Sequence, residues 1–180
     1  LTTAWNERLR ELADDELLSV GEWLDFCRHV GLIESKQLTL LDARYVFVWS
    51  RIRTCADQSP RSVIRLRHLT FEDFLEALVR LSTMCALPTD AELRTASRAA
   101  LTFVDAGIFM LRLEASAPRG WDDFLSENGG HWTKDPRMPI WRALEHLISY
   151  IIRSIKLFAD TRGAAAAGPA TLSTDDLRRF

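Results

Sequence analysis

The chain has 180 residues, 47% hydrophobic and 27% charged, with a formal net charge of −2 at pH 7. That composition belongs to a folded globular unit with one good core, excludes disorder over most of the length and gives no global attraction to nucleic acid. Cys27, Cys55 and Cys85 stand apart with no CxxC pair, which excludes a zinc ribbon or secreted disulfide framework and makes a reducing compartment the natural setting. No basic segment leading into an apolar run opens the chain, so no signal peptide is read. Leu1 at one end and the abrupt stop in LSTDDLRRF at the other read as a piece of a longer polypeptide.

Helices are predicted over 3–14, 20–31, 40–54, 71–84, 90–114 and 136–160. Five sites carry Ser or Thr followed three residues later by an acid: Ser19 with Glu22, Thr39 with Asp42, Thr70 with Asp73, Thr89 with Glu92 and Ser173 with Asp176. In such a capping box the hydroxyl accepts from the amide of the acidic residue. The carboxylate reaches back to the cap amide and also meets the positive end of the helix. Asp135-Pro136 supplies the start of the last long helix, since a first-turn proline needs no amide donor. Residues 115–134, with Pro118, Gly120, Gly129 and Gly130, read as loop with at most a short turn around WDDFL. VIRLRHL at 63–69 is the one brief strand-like alternation. The organisation expected is an all-α chain: a helical pair over 1–88, an extension of two long helices packing on it over 89–162, an Ala/Gly linker at 163–170 and the start of a further helix at 171–180.

LSVGEWLDF at 18–26 and LTFEDFLEA at 69–77 repeat one pattern. An EF-hand places an apolar residue at loop position 8, in a short strand, and an acid at position 12, where the exit helix starts. With Leu69 at position 8, Asp73 falls at position 12, but ligand positions 1, 3 and 5 are Ser62, Ile64 and Leu66, and Arg67 takes the turn glycine's place. Calcium needs six to eight oxygens, so this loop reads as metal-free. With Leu18 at position 8 the corresponding residues are Glu11, Ala13, Asp15 and Glu22, with Glu16 for the glycine, which reads as an acidic solvated helix end. The predicted fold is thus a degenerate EF-hand-like pair without metal or cofactor, its two loops joined by a strand from VIRLRHL.

From Trp23 to Ser82 the segments WLDFCR, TLLDARYVF and FEDFLEAL resemble the core domain of the tubulin polymerization-promoting protein family. LTFEDFLEALVRLS is also similar to phrases in degenerate EF-hand pairs of ciliary and flagellar proteins. The resemblance implies a cytoskeletal, ciliary or axonemal setting and tubulin, microtubules or other axonemal proteins as partners. The family's basic, disordered C-terminal region is replaced here by predicted helices, which favours an architectural role over tubulin polymerisation.

No catalytic motif is present: His29, His68, His131 and His146 lack metal-ligand spacing, and there is no phosphate-binding glycine loop or nucleophile elbow. Cys27 reads as a core residue, and Asp122, Asp123 and Glu127 as helix-start or solvated acids. Asp105, amid TFVDAGIFMLRL, is expected to be partly buried and to need a partner such as Arg112 or a helix-end hydrogen bond. Arg44, Arg51, Arg53, Arg61, Arg65 and Arg67 face a single acid, Asp57, so Arg51, Arg53, Arg61, Arg65 and Arg67 are the candidate partner-binding residues for an acidic surface. The stripe Trp141, Leu144, Ile148, Ile151, Ile155 and Phe158 is expected to be internal, against the helices over 90–114; interleaved charges exclude a membrane span. These features describe a non-catalytic interaction module. The alternative reading is a calcium-regulated sensor or adaptor.

Overall fold

The computed structural model describes residues 17–51, 67–129 and 135–166, with side chains as far as 161. The predicted helix over 3–14, most of VIRLRHL and the segment 171–180 lie outside the described residues. In chain order the elements are β1 (Leu18–Ser19), α1 (Val20–His29), α2 (Leu40–Ser50), β2 (His68–Leu69), α3 (Phe71–Met84), α4 (Asp90–Ala100), α5 (Ala106–Ser116), α6 (Pro118–Asn128) and α7 (Ile140–Ala166). The protein is therefore mainly helical. Four of the predicted capping boxes start helices: Ser19 with Glu22 for α1, Thr39 with Asp42 for α2, Thr70 with Asp73 for α3 and Thr89 with Glu92 for α4.

The chain divides into two compact units, the boundary falling after Leu81 inside α3, with residues 29–31 counted in the second. In the first unit β1 and β2 pair antiparallel with Leu18 opposite Leu69 and Ser19 opposite His68. The two residues that open the repeated pattern thus lie across from each other. Each is followed by the same capping box and a helix. The next equivalent pair also meets: the rings of Trp23 and Phe74 lie edge to face at 6.2 Å, with Phe26 completing the cluster at 5.7 Å and 5.6 Å from them. Trp23 is fully buried and donates its indole N–H to the Ala43 carbonyl at 2.8 Å, tying α1 to α2. Such a donor needs a partner once water is excluded. Phe47 is buried in this unit, whereas Phe71, in the first turn of α3, is 67% exposed.

The second unit corrects several expectations. The helix predicted over 90–114 is two helices. α4 ends at Leu101, which takes the left-handed conformation at φ 55° while its amide reaches the carbonyls of Arg98 and Ser97, and Thr102 also donates to Ser97 O at 3.3 Å. α5 restarts at Asp105, an N-cap whose carboxylate accepts from the Ile108 amide at 2.8 Å. A short polar side chain that competes for backbone donors favours a new cap over continued helix. Asp105 also takes both Nε and Nη2 of Arg153, at 3.1 and 2.7 Å, so the partner is Arg153 on α7 and not Arg112.

The predicted 115–134 loop contains helix α6, with Pro118 in its first turn. Trp121 and Phe124 are buried from it, stacked at 5.9 Å, with Phe109 of α5 at 5.8 Å from Phe124. That burial outweighs the helix cost of Gly120, about 1 kcal/mol. Among the described residues the extension therefore holds four helices, not two. α7 begins at Ile140, with the Pro139 carbonyl receiving the Arg142 and Ala143 amides, and runs into the first half of the predicted 163–170 linker, as far as Ala166, alanine being the best helix former.

Of the expected α7 stripe only Ile151 is buried and Leu144 half-buried; the buried face is turned away from the rest. Ala143, His146, Leu147, Tyr150, Ile151 and Ser154 are buried, whereas Trp141 is 67% and Ile155 50% exposed, with Ile148 and Phe158 also exposed. α5 packs on α7 through Gly107, where an added Cβ would stand 2.7 Å from the Ser149 carbonyl oxygen and 2.6 Å from Arg153 Cγ. That close approach brings the α5 backbone against the Ser149–Arg153 side of α7.

Candidate functional site

Of the candidate partner-binding arginines, Arg51 and Arg67 fall among the described residues; Arg53, Arg61 and Arg65 lie outside them. Both described arginines belong to the first unit. Arg51 is the C-cap of α2: its Nε donates to Val48 O at 3.4 Å, and its guanidinium carbon lies 5.4 Å from the Phe47 ring centre. It is half-buried along its own helix, so it contributes one fixed charge at the end of α2. Arg67, immediately before β2, is exposed, as is Arg44 on α2.

The helix between these charges carries a feature that charge counting misses. α2 buries Ala43, Val46, Phe47 and Ser50 but exposes Leu41, Tyr45, Val48 and Trp49, with the Tyr45 and Trp49 rings stacked at 5.3 Å. Positions 41, 45, 48 and 49 recur at helical spacing and form a second apolar stripe opposite the first. The spacing was there to be read in LLDARYVFVWS. Apolar residues of both stripes blur into one run when only one face is sought. The result is a ridge of aromatic and aliphatic side chains with Arg44 beside it and Arg51 at its end. Aromatic residues and arginine are the types enriched where protein partners bind.

The residues considered for chemistry are tied into structure. Cys27 is fully buried, and desolvation pushes its thiol up to about 12, the opposite of an activated nucleophile. His146 is buried with Nδ1 2.8 Å from the Pro88 carbonyl; a carbonyl only accepts, so Nδ1 carries the hydrogen. His29 lies 5.6 Å from the Phe158 ring, and His131 is outside the described residues. Asp122, Asp123 and Glu127 are exposed on α6. Asp90 accepts Nε and Nη2 of Arg142 at 2.9 and 2.7 Å; these bonds chiefly hold its carboxyl below the usual range. Burial pushes the Asp105 carboxyl up, but the Ile108 amide, Arg153 and the Ser149 hydroxyl outweigh it and lower it overall. Among the described residues no three His, Cys, Asp or Glu side chains converge as a metal site would require. The EF-hand ligand positions at Glu11, Ala13, Asp15, Ser62, Ile64 and Leu66 lie outside those residues. No helix among the described residues is long and apolar enough to cross a membrane.

The chain matches no family model, no curated protein and no solved structure.

Proposed function

We propose that this chain is a non-catalytic protein-interaction module built on a degenerate, metal-free EF-hand-like pair, and that it serves a microtubule-associated protein of the ciliary or axonemal cytoskeleton. One observation carries the fold part of this reading: Leu18 and Leu69, both at position 8 when the repeat is read as EF-hand loops, face each other in the ribbon. Antiparallel pairing of equivalent residues relates the two copies by a local two-fold, the arrangement in which paired hands share one ribbon. The interaction part is supported by the α2 ridge of Leu41, Tyr45, Val48 and Trp49 beside Arg44 and Arg51. The microtubule setting rests on the sequence resemblance, and an arginine-rich face suits an acidic filament surface.

Co-sedimentation of the chain with microtubules at increasing salt tests the reading. Exposed charges are screened over about 8 Å at physiological ionic strength, so binding should weaken steeply as salt rises. Arg51→Glu with Arg67→Glu should weaken it further while leaving the fold intact, since peripheral charges act mainly on encounter. Salt-insensitive binding that is lost only in Ile148→Asp would move the interface to the exposed side of α7, and no binding at any salt would remove the microtubule assignment. Calcium added to the free protein should leave the melting temperature unchanged; a ligand of the folded state at a hundredfold excess over its Kd adds about 2.7 kcal/mol, so a clear rise would establish a sensor instead.

A further inference from the structure

A groove of about 500 Å³ runs along the second unit, walled by α4, residues 103–106 and α7. We infer that it docks an acidic amphipathic segment of a protein partner, at a site separate from the α2 ridge and independent of the microtubule reading.

Charge is the first argument. Three carboxylates line the groove, and each is already engaged: Asp90 and Glu145 by Arg142, and Asp105 by Arg153. Arg94 and Arg98, one turn apart on α4, are exposed on its wall. Among the described residues neither guanidinium has a carboxylate partner; Arg94 acts on Asp90 only at a distance, the weakest of that group's cationic influences. One wall therefore offers two forked donors spaced for carboxylates on a peptide.

The apolar component stands beside them. Leu101 and Phe103 are 91% and 82% exposed, more than any other large hydrophobic side chain described. They are not on a loose loop. The Leu101 amide reaches Arg98 O, the Val104 amide donates to Ser97 Oγ at 3.0 Å, Val104 itself is buried, and Asp105 is pinned by Ile108 and Arg153. Leu101 holds a left-handed backbone, which costs a non-glycine residue about 1 kcal/mol. The fold thus keeps two apolar side chains in water on a braced, unfavourable backbone, and a surface arranged before binding loses less entropy on association. Carboxylates facing Arg94 and Arg98, with leucine or aromatic side chains against Phe103 in the groove and Leu101 at its margin in sequence, describe an acidic amphipathic helix. A flat anionic bilayer fits less well, because Arg94, Arg98 and Phe103 line a groove between α4 and α7 and not a flat face.

The test uses the whole chain and a fluorescein-labelled peptide, Leu-Glu-Glu-Leu repeated three times, read by anisotropy. Saturable binding is expected. Arg94→Glu with Arg98→Glu, and separately Phe103→Ser, should each weaken it about tenfold or more, while the control Arg119→Glu, exposed on α6, leaves it unchanged. All three substituted surfaces are exposed, and circular dichroism melts confirm that the variants remain folded. Peptide binding equal in all variants, or no binding, overturns the proposal. So does capture by vesicles of mixed phosphatidylcholine and phosphatidylserine that depends on Phe103 while the peptide is ignored, which would make the loop a lipid contact.

Discussion

Asp105 and Arg153 meet across α5 and α7 in a two-pronged ion pair, at 2.7 and 3.1 Å, with side chains 20% and 27% exposed. The same carboxylate caps α5 through the Ile108 amide, so one side chain starts a helix and fastens it to its neighbour. Asp105→Ala should cost about 2–3 kcal/mol and Asp105→Asn about 1 kcal/mol, since Asn keeps the cap but loses the charge. Because the carboxyl is lowered overall, its contribution is complete above the unfolded pKa of about 3.9 and is lost as pH falls through the folded value. Urea melts at pH 7 and pH 3 check both: the cost of Asp105→Asn should shrink at pH 3.

Gly107 permits the close passage of α5 over Ser149. An alanine methyl would sit 2.7 Å from a backbone oxygen, which cannot move aside as a flexible side chain can. Gly107→Ala should destabilise by about 1–3 kcal/mol despite alanine's better helix propensity. An unchanged melting temperature would show that α5 and α7 pack otherwise.

The two capping boxes of the repeat differ in burial, and their energies should differ accordingly. The Ser19 box is exposed, whereas the Thr70 box is partly buried. Thr70→Ala is expected to cost about 1–2 kcal/mol and Ser19→Ala about 0.5–1 kcal/mol. Native-state hydrogen exchange of the α1 and α3 amides would measure each helix separately. Equal protection in wild type and both variants would mean that the caps do not set the helix starts.

Glu114 on α5 is half-buried, and burial alone raises its carboxyl above the ordinary range. A raised folded pKa means that the native state holds the proton more tightly, so stability falls as pH rises from the unfolded value of about 4.3 through the folded one. Glu114→Gln should therefore raise the melting temperature at pH 7 and lose that advantage at pH 3. A variant less stable than wild type at pH 7 would reveal an interaction that favours the charge.

What the sequence determined by itself was local. The starts of α1, α2, α3 and α4 follow from a hydroxyl and an acid three residues apart, an interaction that closes within one turn and needs nothing from the rest of the chain. The repeated pattern likewise carried its own strand, cap and helix, and so foretold which positions correspond. The tertiary structure decided where an element was apolar on more than one side. α7 has apolar residues on several sides, and its packing in the folded unit buries Leu147, Tyr150 and Ser154 while leaving Trp141 and Ile155 exposed. α2 shows the same ambiguity, with one stripe buried and Leu41, Tyr45, Val48 and Trp49 outside. Asp105 found Arg153, forty-eight residues away, in preference to Arg112 on its own helix. α6 formed because Trp121 and Phe124 had a surface to cover. Periodicity states that a helix has apolar faces; the shape of its neighbours chooses which one is buried.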